Sequence, residues 1–244
     1  MINSESFITV IPARYQSSRF PGKPLALING ESMVSIVYRN AVSAKNTGDV
    51  VVATDDERIY KHCEEKDIKV IYTSKDCENG SMRAAEVAEK YSVQHVFELQ
   101  GDQPLVGPDI IDSFLENAVL QMAENENIDI VQPYSKMEDS ILADPDVLKV
   151  AISLTGKFLV YTRLPMKTGY RTLGLYLWKR DSLLSFREMK ETPLERAETT
   201  HLNRFLENDL FVQGVELDDK DWIEVDRKEH IKLVEDVLNT RDKV

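Results

Sequence analysis

Short apolar, β-branched runs alternate with helix-patterned segments through the first half of the chain, and that alternation limits the folds open to it. The runs are 7–11, 50–53, 69–72, 96–99, 128–131 and 147–152. Met33, Ile36, Val37, Ala41 and Ala44 fall on one face of a helix near 31–45. Ala84, Val87, Ala88 and Tyr91 do the same near 81–91, and Ile110, Ile111, Phe114, Leu115 and Ala118 near 109–123. Such alternation predicts an α/β fold: a mostly parallel sheet with helices on both faces. The second half changes character. Runs at 147–153, 158–163, 171–178 and 211–217 are separated by short turns such as Thr155-Gly156 and Thr168-Gly169. They predict antiparallel strands added at the sheet edge, then helices near 193–207 and 227–241. With no repeat or convincing linker, 1–244 reads as a single domain carrying a β-rich flap at about 133–180.

The first run leads into the loop Val10-Ile-Pro-Ala-Arg-Tyr-Gln-Ser-Ser-Arg-Phe-Pro-Gly-Lys-Pro-Leu25, which holds Arg14, Arg19 and Lys23 and no acid. The chain as a whole carries a net charge of -12. Ala13, Ser17, Ser18 and Gly22 allow close backbone approach, and Pro21-Gly22 marks a tight turn. Strand, small-residue cationic loop and helix together form a phosphate grip of free amides and basic side chains. The loop is not a Walker A sequence, since Ser17 and Pro24 stand where Gly and Ser or Thr are required, and it is not G-x-G-x-x-G. Thr54-Asp55-Asp56 and Gly101-Asp102 fall at the same ends of the predicted strands, where α/β sheets bind ligands.

At 244 residues the chain is long enough for a core burying roughly 70–75% of its unfolded surface. No apolar run matches a membrane span, and MINSESF lacks the regions of a signal peptide, so a cytoplasmic protein is expected. Cys63 and Cys77 fit neither a zinc spacing nor a disulfide framework and are read as ordinary thiols. The acidic balance opposes nonspecific nucleic-acid binding.

The segments IPARYQSSRFPGKPLALING, VVVATDDERI, LQGDQPL and PLERAE, with a weaker WIEVDRKEHI, occur in this order over nearly the whole chain. Together they resemble the sugar-activating nucleotidyltransferases, and most closely the CMP-Kdo synthetase (3-deoxy-manno-octulosonate cytidylyltransferase) family. The resemblance implies a three-layer, Rossmann-like nucleotidyltransferase fold and a homodimer. It implies transfer of CMP from CTP to the anomeric hydroxyl of a 3-deoxy-2-keto sugar acid, with release of pyrophosphate. It implies that Arg14 and Lys23 contact the CTP triphosphate, and that Arg14, Lys23 and Asp102 carry the catalytic charge. The resemblance also places Ser17, Thr54, Asp55, Arg83 and Gln100 with Arg14 and Lys23 around the nucleotide. By the same resemblance, Gln100, Thr172, Glu195, Glu198 and Arg204 are expected to face the sugar, and Asp102 and Asp226 to hold magnesium.

The residues themselves leave alternatives open. Asp102 ends an apolar strand opposite the cationic loop, a place suited to magnesium and equally to a turn residue. Trp222 to Val225 reads as a short strand, and Asp226 to Glu229 as a capping box for the last helix, so Asp226 is a ligand, an N-cap or both. Arg19 either joins the phosphate grip or pairs with an acid such as Asp55 or Asp56. In-line phosphoryl transfer needs positioning and charge stabilisation rather than a covalent nucleophile, and no Ser-His-Asp or Cys-His set is evident among four histidines.

Several sugar-side positions depart from the family pattern. Met82 replaces an acid in Gly80-Ser81-Met82-Arg83, Thr172 replaces a His, and His201-Leu202-Asn203-Arg204 stands for Glu-Gln-Leu-Arg. The segment Pro165 to Arg171 is also shorter than the family's excursion, which makes dimer contacts. Kept nucleotide-side and altered sugar-side residues suggest a modified keto-sugar acid, such as an amino-substituted Kdo. Two other readings remain. A glycosyltransferase would use an Asp-x-Asp motif, for which Asp144-Pro145-Asp146 and Asp218-Asp219 are poor substitutes. A nonenzymatic CTP-binding homologue would keep the pocket without turnover.

Overall fold

The computed structural model describes residues 7–17, 19–137, 142–145, 147–217 and 223–241. Strand β1 (Phe7–Pro12) is buried at every position and pairs in parallel with β4 (Asp49–Thr54) on one side and β6 (His95–Leu99) on the other. A strand covered on both faces has no polar side to present, which is why its sequence reads as a continuous apolar run. Between β1 and β4 lie the small hairpin β2 (Leu27–Ile28) and β3 (Glu31–Ser32), then α1 (Met33–Ser43), whose first turn is capped by the Ser32 hydroxyl. Helix α2 (Glu57–Glu65), which the apolar patterns did not reveal, follows β4 and leads to β5 (Val70–Tyr72). Its buried residues are Ile59 and Cys63, too few to make a periodic stripe. Helix α3 (Gly80–Ala88) precedes β6, and α4 (Pro108–Glu124) follows it.

The second half supplies β7 (Ile130–Lys136), β8 (Lys149–Ile152), β9 (Phe158–Thr162), β10 (Tyr170–Thr172), β11 (Leu175–Lys179), α5 (Arg180–Arg187), α6 (Pro193–Glu198), α7 (Leu202–Glu207), β12 (Val212–Glu216) and α8 (His230–Arg241). The main sheet runs β5-β4-β1-β6-β11-β7-β10-β8-β9, with β12 also on β7. The α/β expectation holds: a parallel half is extended by antiparallel strands. Three details differ. The run at 171–178 is two strands, because the chain changes partners at Leu173-Gly174, and β11 lies inside the sheet between β6 and β7. Strand β12 pairs with β7 in parallel, not antiparallel. The helix expected over 193–207 breaks in two at Thr199, which takes a left-handed backbone at φ 51°. The first two are set by pairing with distant segments, which local alternation does not encode, and the third by a left-handed backbone that closes α6.

Alternate residues of the central strands enter different layers. Ile11, Val52, Phe97 and Leu177 pack with Val37, Ile59 and Phe114 on one face. Ile8, Val10, Val51 and Trp178 pack with Ala84, Val87, Phe186 and Phe205 on the other. A third, smaller cluster of Ile28, Met33, Leu105, Val225 and Val234 joins the β2–β3 hairpin to α8. It anchors the segment just before α8 beside the carboxyl end of β6.

Candidate active site at the strand ends

The loop after β1 is fastened by Ala13 N donating to Ala53 O at 2.8 Å and Gly22 N donating to Tyr15 O at 2.8 Å. Gly22 has φ 74°, a conformation that a side chain would strain, and it sets Lys23 on a short 3₁₀ turn over Lys23–Leu25. The Lys23 ammonium then lies between two carboxylates, 2.7 Å from Asp102 Oδ2 and 3.6 Å from Asp226 Oδ1. Burial alone would lower the Lys23 pKa, but the Asp102 carboxylate, with Asp226 and Glu224 beyond it, outweighs that and raises it. Arg19 pairs with Asp226 at 3.0 Å, not with Asp55 or Asp56.

Three carboxylates converge here. Ligand atoms of Asp102, Glu224 and Asp226 lie within 4.8 Å of one another. Val225 is fully buried and its N–H donates to Asp102 O at 3.0 Å, which holds Glu224 and Asp226 on either side of it next to Asp102. Asp102 Oδ1 is buried with no partner among the described residues. A buried oxygen in that state calls for a donor or a cation. Magnesium takes one or two carboxylates and completes its shell with water and phosphate oxygens, so this donor set fits it. Glu224 was missed in the sequence, where it sits inside an apolar stretch. The expected strand over 222–225 is absent from its described part, 223–225. Helix α8 starts at His230, so Asp226 is not its N-cap; a turn intervenes, with His230 N donating to Arg227 O.

The remaining predicted residues divide into exposed and inward-facing groups. Arg14 is exposed at the start of the loop, and Ser17 Oγ accepts from Phe20 N at 3.3 Å. Thr54 is fully buried and its hydroxyl accepts from Asp56 N at 3.2 Å. Arg83 is buried rather than solvated: its guanidinium pairs with Asp55 at 3.1 Å and donates to Thr73 Oγ1. The two residues expected at the nucleotide therefore hold each other. Gln100 N donates to Gly174 O at 2.8 Å just after β6, and its side chain lies against Glu98, Gly80 and Gly174.

Among the residues expected to face the sugar, Thr172 Oγ1 donates to Pro133 O at 3.0 Å. Arg204 makes a two-pronged pair with Glu195, 2.6 Å for each bond, and both are buried. Glu198 accepts from Thr162 Oγ1 and Arg163 N, tying α6 to the end of β9. Met82 and Leu202 are buried in the apolar cluster with Trp178, so those two departures are part of the core. His201 packs edge-on to Phe205, and burial lowers its pKa to about 4. The two cysteines are free thiols, and burial pushes Cys63 up to about 12 and Cys77 up to about 11. Asp218-Asp219 and Asp146 lie outside the described residues. No helix among the described residues is long and apolar enough to cross a membrane.

Residues 8–217 match the model of the family described as Cytidylyltransferase. The chain is 36% identical over 227 residues to the 3-deoxy-manno-octulosonate cytidylyltransferase of Geobacter sulfurreducens, covering 85% of this chain and 89% of that one. The chain belongs to the 3-deoxy-manno-octulosonate cytidylyltransferase family. A second relative of that name, from Fusobacterium nucleatum, is 33% identical and covers 93% of this chain and 95% of its own. Among solved structures, a CMP:2-keto-3-deoxy-manno-octonic acid synthetase complexed with CTP superimposes with a TM-score of 0.88 at 27% identity, covering 97% of this chain and 99% of that one. A glucose-1-phosphate thymidylyltransferase from Bacillus anthracis shares the fold, with a TM-score of 0.70 at 15% identity over 95% of this chain and 94% of that one. As a family member, the protein is a cytidylyltransferase.

Proposed function

We propose that the protein transfers CMP from CTP to the anomeric hydroxyl of a 3-deoxy-2-keto sugar acid, Kdo or an amino-modified Kdo such as 8-amino-Kdo. The observation that supports this most is the carboxylate cluster of Asp102, Glu224 and Asp226 meeting Lys23 and Arg19 at the carboxyl ends of β1 and β6. The anomeric oxygen attacks the α-phosphorus of CTP, the bond to the β-phosphate oxygen breaks in line, and pyrophosphate departs. Asp102 and Asp226 are the residues that would hold magnesium. When bound, the ion neutralises phosphate charge and lowers the pKa of the attacking hydroxyl. The arriving triphosphate competes with Asp102 and Asp226 for Lys23, drawing the ammonium toward the leaving group and freeing carboxylate oxygens. Arg14, exposed at the start of the same loop, offers its planar fork to two phosphate oxygens. The product serves lipopolysaccharide or surface-polysaccharide synthesis in the cytoplasm, and the enzyme acts as a homodimer.

The test is to incubate the protein with each of four nucleoside triphosphates, magnesium and a panel of keto-sugar acids, and to measure pyrophosphate. Release with CTP and a keto-deoxy acid supports the reading. Nucleoside diphosphate as product would favour a glycosyltransferase, and CTP binding without product over the whole panel a nonenzymatic homologue.

A further inference from the structure

Glu98 is an acid among the apolar residues Val96, Phe97 and Leu99 of β6, and the reaction above gives it no role. It is fully buried on β6, on the sheet face covered by α3. Both carboxylate oxygens are engaged. Trp178 Nε1 donates to Oε2 at 3.1 Å, and Gln100 Nε2 donates to Oε1 at 2.5 Å. An ionised carboxylate only accepts, so this partner decides which end of the Gln100 carboxamide turns inward. The amide nitrogen is committed to Glu98. The carbonyl Oε1 is left without a partner among the described residues and is not sealed from solvent.

Two glycines hold the rest of the side chain. A Cβ on Gly80 would stand 2.8 Å from Gln100 Nε2, and one on Gly174 would stand 2.7 Å from Gln100 Cγ. Both contacts are shorter than side chains tolerate, so Gln100 occupies a slot that only glycine leaves open on either side. With its amide nitrogen held by Glu98, the side chain has one polar atom, Oε1, left for a ligand.

We propose that Glu98 is a positioning residue: by holding the Gln100 amide nitrogen, it makes Gln100 present a hydrogen-bond acceptor to the cleft, so that the site selects a substrate bearing a hydroxyl or amino donor there. The inference rests on the reading of the cleft under Proposed function. A substrate with no donor at that place leaves a desolvated carbonyl unpaired, which is the costly kind of mismatch. Burial raises the Glu98 pKa to about 7, against hydrogen bonds that lower it, so assays near pH 8 keep the carboxylate ionised.

Glu98→Gln tests this. Its new amide oxygen still accepts from Trp178, while its amide nitrogen donates to Gln100 Oε1 and turns the Gln100 nitrogen toward the cleft. Near pH 8, the KM for one substrate should rise about tenfold with kcat within about twofold of wild type. The substrate whose KM moves, CTP or the sugar acid, identifies the donor. An unchanged KM for both, or a loss confined to kcat, in a variant whose near-ultraviolet circular dichroism matches wild type would overturn the proposal. A second measurement needs neither a variant nor turnover. In the ¹⁵N-labelled wild-type protein, the Gln100 side-chain amide protons should exchange roughly a hundredfold more slowly than those of exposed Gln16. Equal exchange rates would overturn the Glu98 hold itself. Absence of turnover by wild type would count against the enzymatic reading and leave the exchange result standing.

Discussion

Lys23 Nζ lies 2.7 Å from Asp102 Oδ2, so a residue suited to phosphate and a residue suited to metal neutralise each other across 79 positions of sequence. The pair keeps two strongly hydrated groups together in a half-buried place; on the proposed reading a polyanion and a cation replace each partner. It also makes the site's two ligands interdependent: whatever draws Lys23 away increases the negative charge available to a cation.

Lys23→Ala should therefore do more than reduce turnover, which is expected to fall by roughly 10²–10³. Without the ammonium, Asp102, Glu224 and Asp226 repel one another, and magnesium should stabilise the variant more than it stabilises wild type. Thermal melts with and without magnesium chloride check this. Equal shifts in Tm would show that Lys23 does not occupy the cation's place.

Asp226→Asn should leave stability within about 1 kcal/mol of wild type, because its pair with Arg19 is partly exposed and α8 begins beyond it. Turnover should nevertheless be abolished. Urea unfolding set beside pyrophosphate release separates the two effects. A large loss of stability would return Asp226 to a structural role.

Arg83→Met is expected to destabilise the fold by about 3 kcal/mol, since it leaves Asp55, Thr73 and the Ser74 carbonyl without their common donor. If Asp55 is held toward the nucleotide by this pair, the KM for CTP should rise in the same variant while the KM for the sugar stays level. Chemical denaturation and a two-substrate kinetic matrix make the comparison.

His201 has a pKa lowered to about 4 by burial, below the ordinary value of 6.5. Between those two values the unfolded chain binds a proton that the folded chain does not. Stability is complete above pH 6.5 and is lost as the pH falls through about 4, by roughly 3 kcal/mol over the whole window. A His201→Leu variant should lose this part of the pH dependence. The difference in Tm between variant and wild type, followed from pH 7 to pH 4, checks it; a constant difference would mean that His201 is not held neutral.

The sequence by itself determined the parallel half of the sheet and the address of the site. Short apolar runs and period-3.6 apolar spacing are local properties, and the loop at 14–23, Asp55 and Asp102 follow directly from the strands that those runs mark. Tertiary structure decided the rest. Strand β11 enters the sheet beside β6 because its partner lies about eighty residues away, and no local pattern names that partner. Glu224 and Asp226 reach Asp102 because Val225 is buried with the β2–β3 hairpin and α8, and its N–H bonds to the Asp102 carbonyl. Nothing in the sequence names the partners of Glu98 or Arg83, because what pairs a buried charge comes from other elements. Burial and partner choice are properties of the assembled layers, and they convert the same side chains from solvated charges into fixed donors and acceptors.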